Sequence, residues 1–440
     1  MTEQHTATGT PSAEMAPFRR LWTGQTISMF GSQVSGIAMP LVAAMTLHAT
    51  PAQMGLLVAL PFVPNLLVGL PAGAWVERVR KRPVLIAADL GRACSVGSVP
   101  VLSLMGVLRI EHLFVLSLVN GLLGVFFDVA QTAFVPVLVP RDELMTANGR
   151  LQGSRAVSQV AGPSLGGVLV ALLTAPVAVA VDAFSFLASA VMTLTIRRRE
   201  KLPATPAVKT TLMADVAEGM RFVFREPVLR PALGWVASVN LFMATLMAVY
   251  VLYVSRELHF GGAPLGLAMT ALGAGSLLGA AGAQRLARRA GVGGSILLAA
   301  VLAGVGGLLI PAVRGSVPVA AAGQVVAMMV LGLGTTIANV NLISLIQAVT
   351  PARLMARTVA TIRFVTWGAM PLGALGGGAI AQRFGTRATL AGAMAGVLLS
   401  AGWVLFSRLR TLHEVPARAD DDSAPTAAQP LTPDPEPAIA

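Results

Sequence analysis

Long apolar runs, parted by short polar and basic clusters, recur along most of the chain. Crossing about 30 Å of hydrocarbon takes roughly 20 helical residues. Twelve runs reach that length, at about 21–47, 53–76, 83–107, 113–138, 155–174, 176–196, 231–255, 264–287, 293–312, 318–349, 359–382 and 388–406. In lipid, backbone polar groups must be satisfied within the segment, so such runs predict helices and not open strands. The expectation is an all-α polytopic membrane protein. Several runs are overlong and are expected to tilt or protrude.

The polar clusters orient the runs. With both termini in the cytoplasm, 26 of the 32 Lys and Arg fall on the cytoplasmic side. Five lie opposite (Arg109, Arg256, Arg314, Arg383, Arg387), and Arg92 sits inside a span. That asymmetry satisfies the positive-inside rule. The organisation follows: residues 1–17 a disordered start, 18–196 a six-helix bundle, 197–230 a cytoplasmic linker, 231–406 a second six-helix bundle, and 407–440 a disordered, Pro- and Ala-rich tail. Within the linker, Leu212, Val216, Met220 and Val223 form a stripe at helical spacing. It predicts an amphipathic helix, lying on the membrane surface or packed on the bundle.

Composition sharpens this picture. The chain is 55% hydrophobic and only 12% charged, whereas a soluble protein is about a quarter charged. A net charge of +12 suggests nucleic-acid binding until the charges are placed. They lie in short clusters between apolar runs, not on a basic face, so no nucleic-acid partner is expected. Residues 1–17 carry no Lys or Arg ahead of an apolar core, so no cleavable leader is expected. Cys94 is the sole cysteine, which excludes a disulfide framework. The five histidines are scattered through termini and loops, and no Walker-type Gly-Lys-Ser/Thr run occurs. Neither an enzyme, nor an ATP-driven pump, nor a metal or other cofactor is expected.

The halves echo each other. Arg155 lies eight residues before Pro163 in "RAVSQVAGPSLGG", and Arg363 eight before Pro371 in "RFVTWGAMPLGALGG", an offset of 208. The basic clusters around Arg78 and Arg285 repeat at 207. Ser154, Ser158, Gly162 and Gly166 recur every four residues, as do Ala369, Gly373, Gly377 and Ala381. Such stripes let helix backbones approach closely. We expect them to form a moving helix interface, although packing alone also explains them. Parallel repeats place a substrate path between the halves.

Two motifs carry a family resemblance. "GAWVERVRKRP" resembles the loop signature of the major facilitator superfamily (MFS), G-x-x-x-D-R-x-G-R-R/K. Gly73, Arg78, Lys81 and Arg82 fit it, Glu77 stands where Asp is usual, and Arg80 replaces the second Gly. "GSRAVSQVAGPSLGG" matches the antiporter signature through Gly153, Gly162, Pro163, Gly166 and Gly167, and so is similar to the drug:proton antiporter branch. "FRRLWTGQTIS", "PVLIAADLGRA" and "FFDVAQTAFVP" are similar to the macrolide-efflux and enterobactin-exporter-like group, and the resemblance spans about residues 18–406. It implies the MFS fold: twelve transmembrane helices in two six-helix halves related by a pseudo-two-fold axis, both termini cytoplasmic, acting as a monomer in the cell membrane. It also implies that the loop is a latch. Glu77 would face a helix N-terminus of the other half, and Lys81 would pair with an acid on span four, where Asp128 is available.

Charges inside the membrane are expensive and mark function. There are four: Asp89, Arg92, Asp128 and Asp182. Asp89 and Arg92 share a helix face, about 9 and 14 Å from the cytoplasmic edge by helix rise, and are expected to neutralise each other or join Asp128 in gating. Asp182 has no evident cationic partner, which makes it, with Asp128, a candidate proton carrier. By the resemblance, spans one, four, seven and ten line the cavity, with Gln33, Asn120, Gln131, Asn240, Tyr250 and Asn341 among their polar members. Interleaved Phe and Met suit a bulky amphipathic small molecule. The expected activity is secondary export in exchange for protons. A dedicated exporter of one metabolite, such as a siderophore or self-made antibiotic, and a lipid transporter remain open alternatives.

Overall fold

A computed structural model describes residues 15–197, 200 and 220–412. Its helices are α1 (Ala16–Leu41), α2 (Pro51–Ala59), α3 (Val63–Arg78), α4 (Lys81–Leu104), α5 (Ile110–Leu138), α6 (Leu144–Leu173), α7 (Ala175–Leu194), α8 (Leu229–Leu252), α9 (Gly262–Ala312), α10 (Val317–Val349), α11 (Ala352–Phe384), α12 (Thr386–Ser400) and α13 (Gly402–Leu405). The described residues contain no strand. Among the described residues, eleven helices are long and apolar enough to cross a membrane. One of them, α9, has 51 residues and is broken at Gly291, where φ is 73° and ψ 164°. Only glycine enters that region freely. The segments on either side, 262–290 and 292–312, are each of crossing length. The sequence places two spans there, at 264–287 and 293–312.

Within the first half α1 packs on α6 and α7, and α4 on α5 and α7. Within the second, α8 packs on α11 and α12, and α9 on α10 and α12. The two most extensive crossings between the halves are α6 on α9 and α2 on α11, and α2 also meets α8.

The repeat is visible in the backbone, at an offset of 211. Helix α1 ends in a π turn, Val42–Thr46, and α8 in another, Tyr253–Glu257. Each is followed by a histidine at positive φ, His48 at 51° and His259 at 55°. The corner between α6 and α7 is Thr174 (φ 76°), and the corner between α11 and α12 is Gly385 (φ 82°). The sequence offset of 208 therefore differs from the folded register by three residues, close to one helical turn. Pro371 and Arg363 have slipped along their helix, whereas Ser158, Gly162 and Gly166 fall on Ala369, Gly373 and Gly377 at 211.

Thr174 occupies a backbone region that is essentially reserved for glycine, at φ 76° and ψ 155°. Its counterpart is glycine. Replacing Thr174 by glycine is expected to raise stability by about 1 kcal/mol, the lower end of what such strain costs, seen as a higher Tm in detergent. An unchanged or lower Tm would contradict the strain.

Apolar packing is unequal at the two ends of the bundle. At one end a single core joins both halves, including Val34, Leu41 and Met54 with Leu246, Tyr250 and Leu265. At the other end there are two separate cores. One holds Phe18, Leu85 and Phe134 from the first half, and the other holds Trp235, Ile296 and Leu342 from the second. The halves are sealed at the arginine-poor end and part at the arginine-rich one.

The edges depart from expectation in two places. The tail was expected to be disordered from 407, yet Arg408–Thr411 form a 3-10 turn with Leu409 fully buried. Backbone contact with the α9 break holds it, Gly293 N donating to Leu412 O over 2.9 Å. In the linker, Leu212 and Val216 lie outside the described residues. Val223 is fully buried in the second half's core, so this end of the expected amphipathic helix is packed on the bundle. Residues 1–14 and 413–440 also lie outside the described residues.

Candidate functional site

The glycine motif of α6 faces two neighbours. A Cβ on Gly162 would run into the Gln33 side chain, 2.7 Å from its Cγ, and one on Gly166 would stand 3.1 Å from the Val34 Cα. Both contacts are to α1, in the same half. Ser154 continues that face, accepting from Trp22 Nε1 over 2.9 Å. The small-residue stripe is therefore an internal seam of the first half, not the surface between halves. The opposite face makes the crossing. A Cβ on Gly167 would stand 3.0 Å from the Gly266 Cα of α9, and Ser164 Oγ lies 2.7 Å from Thr270 Oγ1. Gly153 has open space around it.

The second half repeats this in detail, 211 residues on. Gly373 and Gly377 lie against Leu241 and Thr245 of α8, and a Cβ on Gly378 would stand 3.0 Å from the Gly55 Cα of α2. The two most extensive crossings between halves are thus one glycine-on-glycine contact used twice. Arg256 adds a polar link at the sealed end, its Nη2 donating to Ala49 O over 2.8 Å and Ala44 O over 3.4 Å.

The loop motif is engaged within its own half. The Glu200 carboxylate accepts from the backbone N–H groups of Lys81 (2.6 Å) and Arg82 (2.8 Å), capping the start of α4. The Arg82 guanidinium donates to Thr193 O and Leu194 O at the end of α7. Arg78 is exposed, and Gly73 has open space about it. The Glu77 side chain lies outside the described residues. Glu200, an acid in the basic run "RRREK", is the member that sequence reading missed.

All four membrane charges converge. Asp89 and Arg92 share one face of α4, and Arg92 reaches past Gly124 of α5, where a Cβ would stand 3.0 Å from its Nη2. The guanidinium lies 4.7 Å from the Phe127 ring centre and 5.4 Å from that of Phe186. Asp89, Asp128 and Asp182 all act on it electrostatically. Asp89 is fully buried; neither of its oxygens has a hydrogen-bond partner of good geometry, and the nearest group able to donate is the Ser189 hydroxyl of α7. Asp182, 2% exposed, accepts from Ser185 Oγ (3.1 Å) and Ser32 Oγ (3.4 Å). The expectation that Asp182 lies apart from any cation is corrected to this extent: Arg92 of α4 acts on it electrostatically, without a direct ion pair among the described residues. The charges acting on Asp128 are Arg92 and Arg155, not the Lys81 expected from the loop motif.

Asp128 and Arg92 open onto a cavity of about 190 Å³. Its walls come from α1, α4, α5 and α6, and include Gln33, Gln131, Arg155 and Gln159. Gln131 Nε2 donates to Gln25 Oε1 across the cavity wall. Gln33 and Gln131 both line this cavity. The other four polar candidates do not line this cavity. Tyr250 is fully buried in the shared core, donating to Gln324 Oε1 over 3.2 Å. Asn341 is 6% exposed and donates to its own helix at Ile337 O. Asn240 likewise donates to Val236 O. Asn120 donates to Ser95 Oγ, tying α5 to α4. A polar residue in a lipid-embedded helix can equally satisfy itself on backbone or a neighbour. Sequence periodicity does not separate these outcomes.

Comparisons with known proteins agree with this architecture. A family model described as "Transmembrane secretion effector" matches residues 8–437. The chain is 29% identical to the uncharacterized MFS-type transporter YfiS of Bacillus subtilis, covering 86% of this chain and 89% of the relative. It is 29% identical to the multidrug efflux pump Tap of Mycolicibacterium fortuitum (80% and 86% covered). It is 28% identical to the enterobactin exporter EntS of Citrobacter koseri (82% and 84% covered). Among solved structures, a bacterial homologue of the iron transporter ferroportin, in an inward-facing state, superposes with a TM-score of 0.68. That match has 16% identity and covers 89% of this chain and 98% of that one.

Proposed function

Since the chain belongs to the transmembrane secretion effector family of MFS transporters, and is a transporter and not an enzyme, we propose that it exports amphipathic small molecules from the cytoplasm in exchange for protons. It does so by alternating access, as a monomer in the plasma membrane, with twelve crossings and both termini cytoplasmic. The break in α9 at Gly291 supports counting that helix as two crossings. The observation that carries the reading is the charged cavity wall, with Asp128, Arg92 and Arg155 beside apolar Phe127 and Met29. It lies between a sealed end and an end where the halves have separate cores. With the arginine-rich end in the cytoplasm, this state faces inward.

Three carboxylates stand against two guanidiniums, Arg92 and Arg155, leaving one negative charge to be met by a proton or another cation. That imbalance supports proton exchange at this cluster and favours Asp128, which opens to the cavity. The apolar Met29 and Phe127 within that polar wall, and the likeness to a multidrug pump, favour a broad range of amphipathic substrates. The likeness to an enterobactin exporter keeps a dedicated siderophore exporter as the second reading, and a substrate panel separates the two.

The test is efflux of a fluorescent amphipath from proteoliposomes under an imposed proton gradient. Asp128→Asn is expected to lower gradient-driven efflux at least tenfold while leaving substrate binding in place. Efflux independent of the gradient, or an Asp128→Asn protein that still responds fully to it, overturns proton exchange at this residue.

A further inference from the structure

We propose that the pocket between the start of α8 and the end of α12 binds the head of an anionic phospholipid in the cytoplasmic leaflet. The leaflet assignment rests on the orientation proposed above.

The pocket has a volume of about 650 Å³, and its wall includes Pro227, Arg230, Trp403, Phe406 and Arg408. Arg230 and Arg408 are both exposed, and among the described residues neither side chain makes a hydrogen bond or ion pair. No acidic residue is in the wall. Two arginines held apart on separate elements, with no protein partner among the described residues, fit a phosphate that can accept from both.

The rest of the wall says what kind of molecule carries that phosphate. Leu399 is 77% exposed, Phe406 89% and Trp403 48%, forming an apolar flank on the lipid side of the arginines. Such a flank beside a free phosphate would be wasted, whereas acyl chains would cover it. Trp403 is held in place by its Nε1 donating to Ser238 Oγ over 3.1 Å. That puts an indole at the level where amphipathic rings sit in a bilayer, between hydrocarbon and headgroups. Basic pockets between helices on the cytoplasmic side are suited to anionic lipid heads. A bound lipid would bridge the end of the linker to the end of the last crossing, and so brace the second half on itself.

Native mass spectrometry of the full chain tests this, with phosphatidylglycerol and phosphatidylcholine of identical acyl chains. The chain is expected to retain phosphatidylglycerol at least fivefold over phosphatidylcholine. Arg230→Ala with Arg408→Ala should remove that preference, and Arg288→Ala with Arg289→Ala, on the basic stretch of α9, should leave it intact. Equal melting of all three proteins in phosphatidylcholine serves as the folding control.

Several results overturn the proposal: no preference in the parent chain, a preference that survives the Arg230/Arg408 change, or full competition by millimolar inorganic phosphate. Binding that emerges only after Asp420, Asp421 and Asp422 are all changed to Asn also overturns it, because it assigns the pocket to the chain's own acidic tail. None of these readouts requires transport, so they stand apart from the test of export.

Discussion

Gly167→Leu and Gly378→Leu are each expected to abolish transport while leaving a chain that folds and inserts. Both glycines sit where the two halves meet backbone to backbone, against Gly266 and Gly55 respectively. A leucine there has no flexible side chain to displace; the atoms in its way are the main chain of the other half. Overpacking of this kind costs about 1–3 kcal/mol. The cost falls on the sealed arrangement, because parting the halves at this end frees the space. A bias near 3 kcal/mol changes the ratio of the two states by roughly 100-fold. The variants should therefore be held open at the arginine-poor end. With Cys94→Ala as background, Ala44→Cys lies inside the shared core, covered in the sealed state. Its labelling by a membrane-impermeant maleimide should rise at least tenfold in the leucine variants. Gly153→Leu, in open space, should leave both labelling and transport unchanged. Labelling that stays at the parent's level in Gly167→Leu and Gly378→Leu would dismiss the glycine crossing as the seal.

How legible these contacts were in sequence depended on what each signal measures. Run length and charge asymmetry placed the crossings well, because hydrocarbon thickness is a one-dimensional constraint. The 318–349 run corresponds almost residue for residue to Val317–Val349. Helix facing was harder. The Ser154–Gly166 stripe was expected to move against another half, and in fact it packs on α1. The glycine that crosses is Gly167, the neighbour that breaks the four-residue spacing. A period reports that one face is smooth, not which helix lies against it. The repeat offset shows the same limit. Matching Arg155 to Arg363 and Pro163 to Pro371 found the duplication, but the backbone corners set the register three residues further on.

The charges were the reverse case. Each of the four was legible singly, because any ionisable group in lipid demands a partner. Their mutual influence was not, since Asp182, on which Arg92 acts, lies on another helix, three helices further along the chain. Nor did the spacing of Tyr250 or Asn341 reveal that the first belongs to the seal and the second to its own helix.

Arg92→Met is expected to be the most destabilising single change in the first half, and its rescue by second changes is the informative part. In the parent the guanidinium sits between Phe127 and Phe186 and faces carboxylates on α4, α5 and α7. Methionine fills a similar slot between the rings, so the packing change is small. What remains is a fully buried Asp89 with at most the Ser189 hydroxyl beside it and a nearly buried Asp182 held by serines. Removing one partner from a buried ion cluster costs about 3–5 kcal/mol. Adding Asp89→Asn and Asp182→Asn removes the carboxylates that lost their cation. The triple variant should therefore recover most of the lost stability, measured as chemical unfolding or Tm in detergent, while remaining inactive in transport. If the hub is real, Arg92 and the two acids must couple: the destabilisation of Arg92→Met in the Asn background should shrink by about 2 kcal/mol or more. Additive effects would mean that Arg92 is held by its two aromatic rings and not by the acids. The cluster would then be four separate charges instead of one site. Transport by the Arg92→Met protein at the parent's rate would point the same way, because a cation that organises three carboxylates beside the cavity cannot be lost silently.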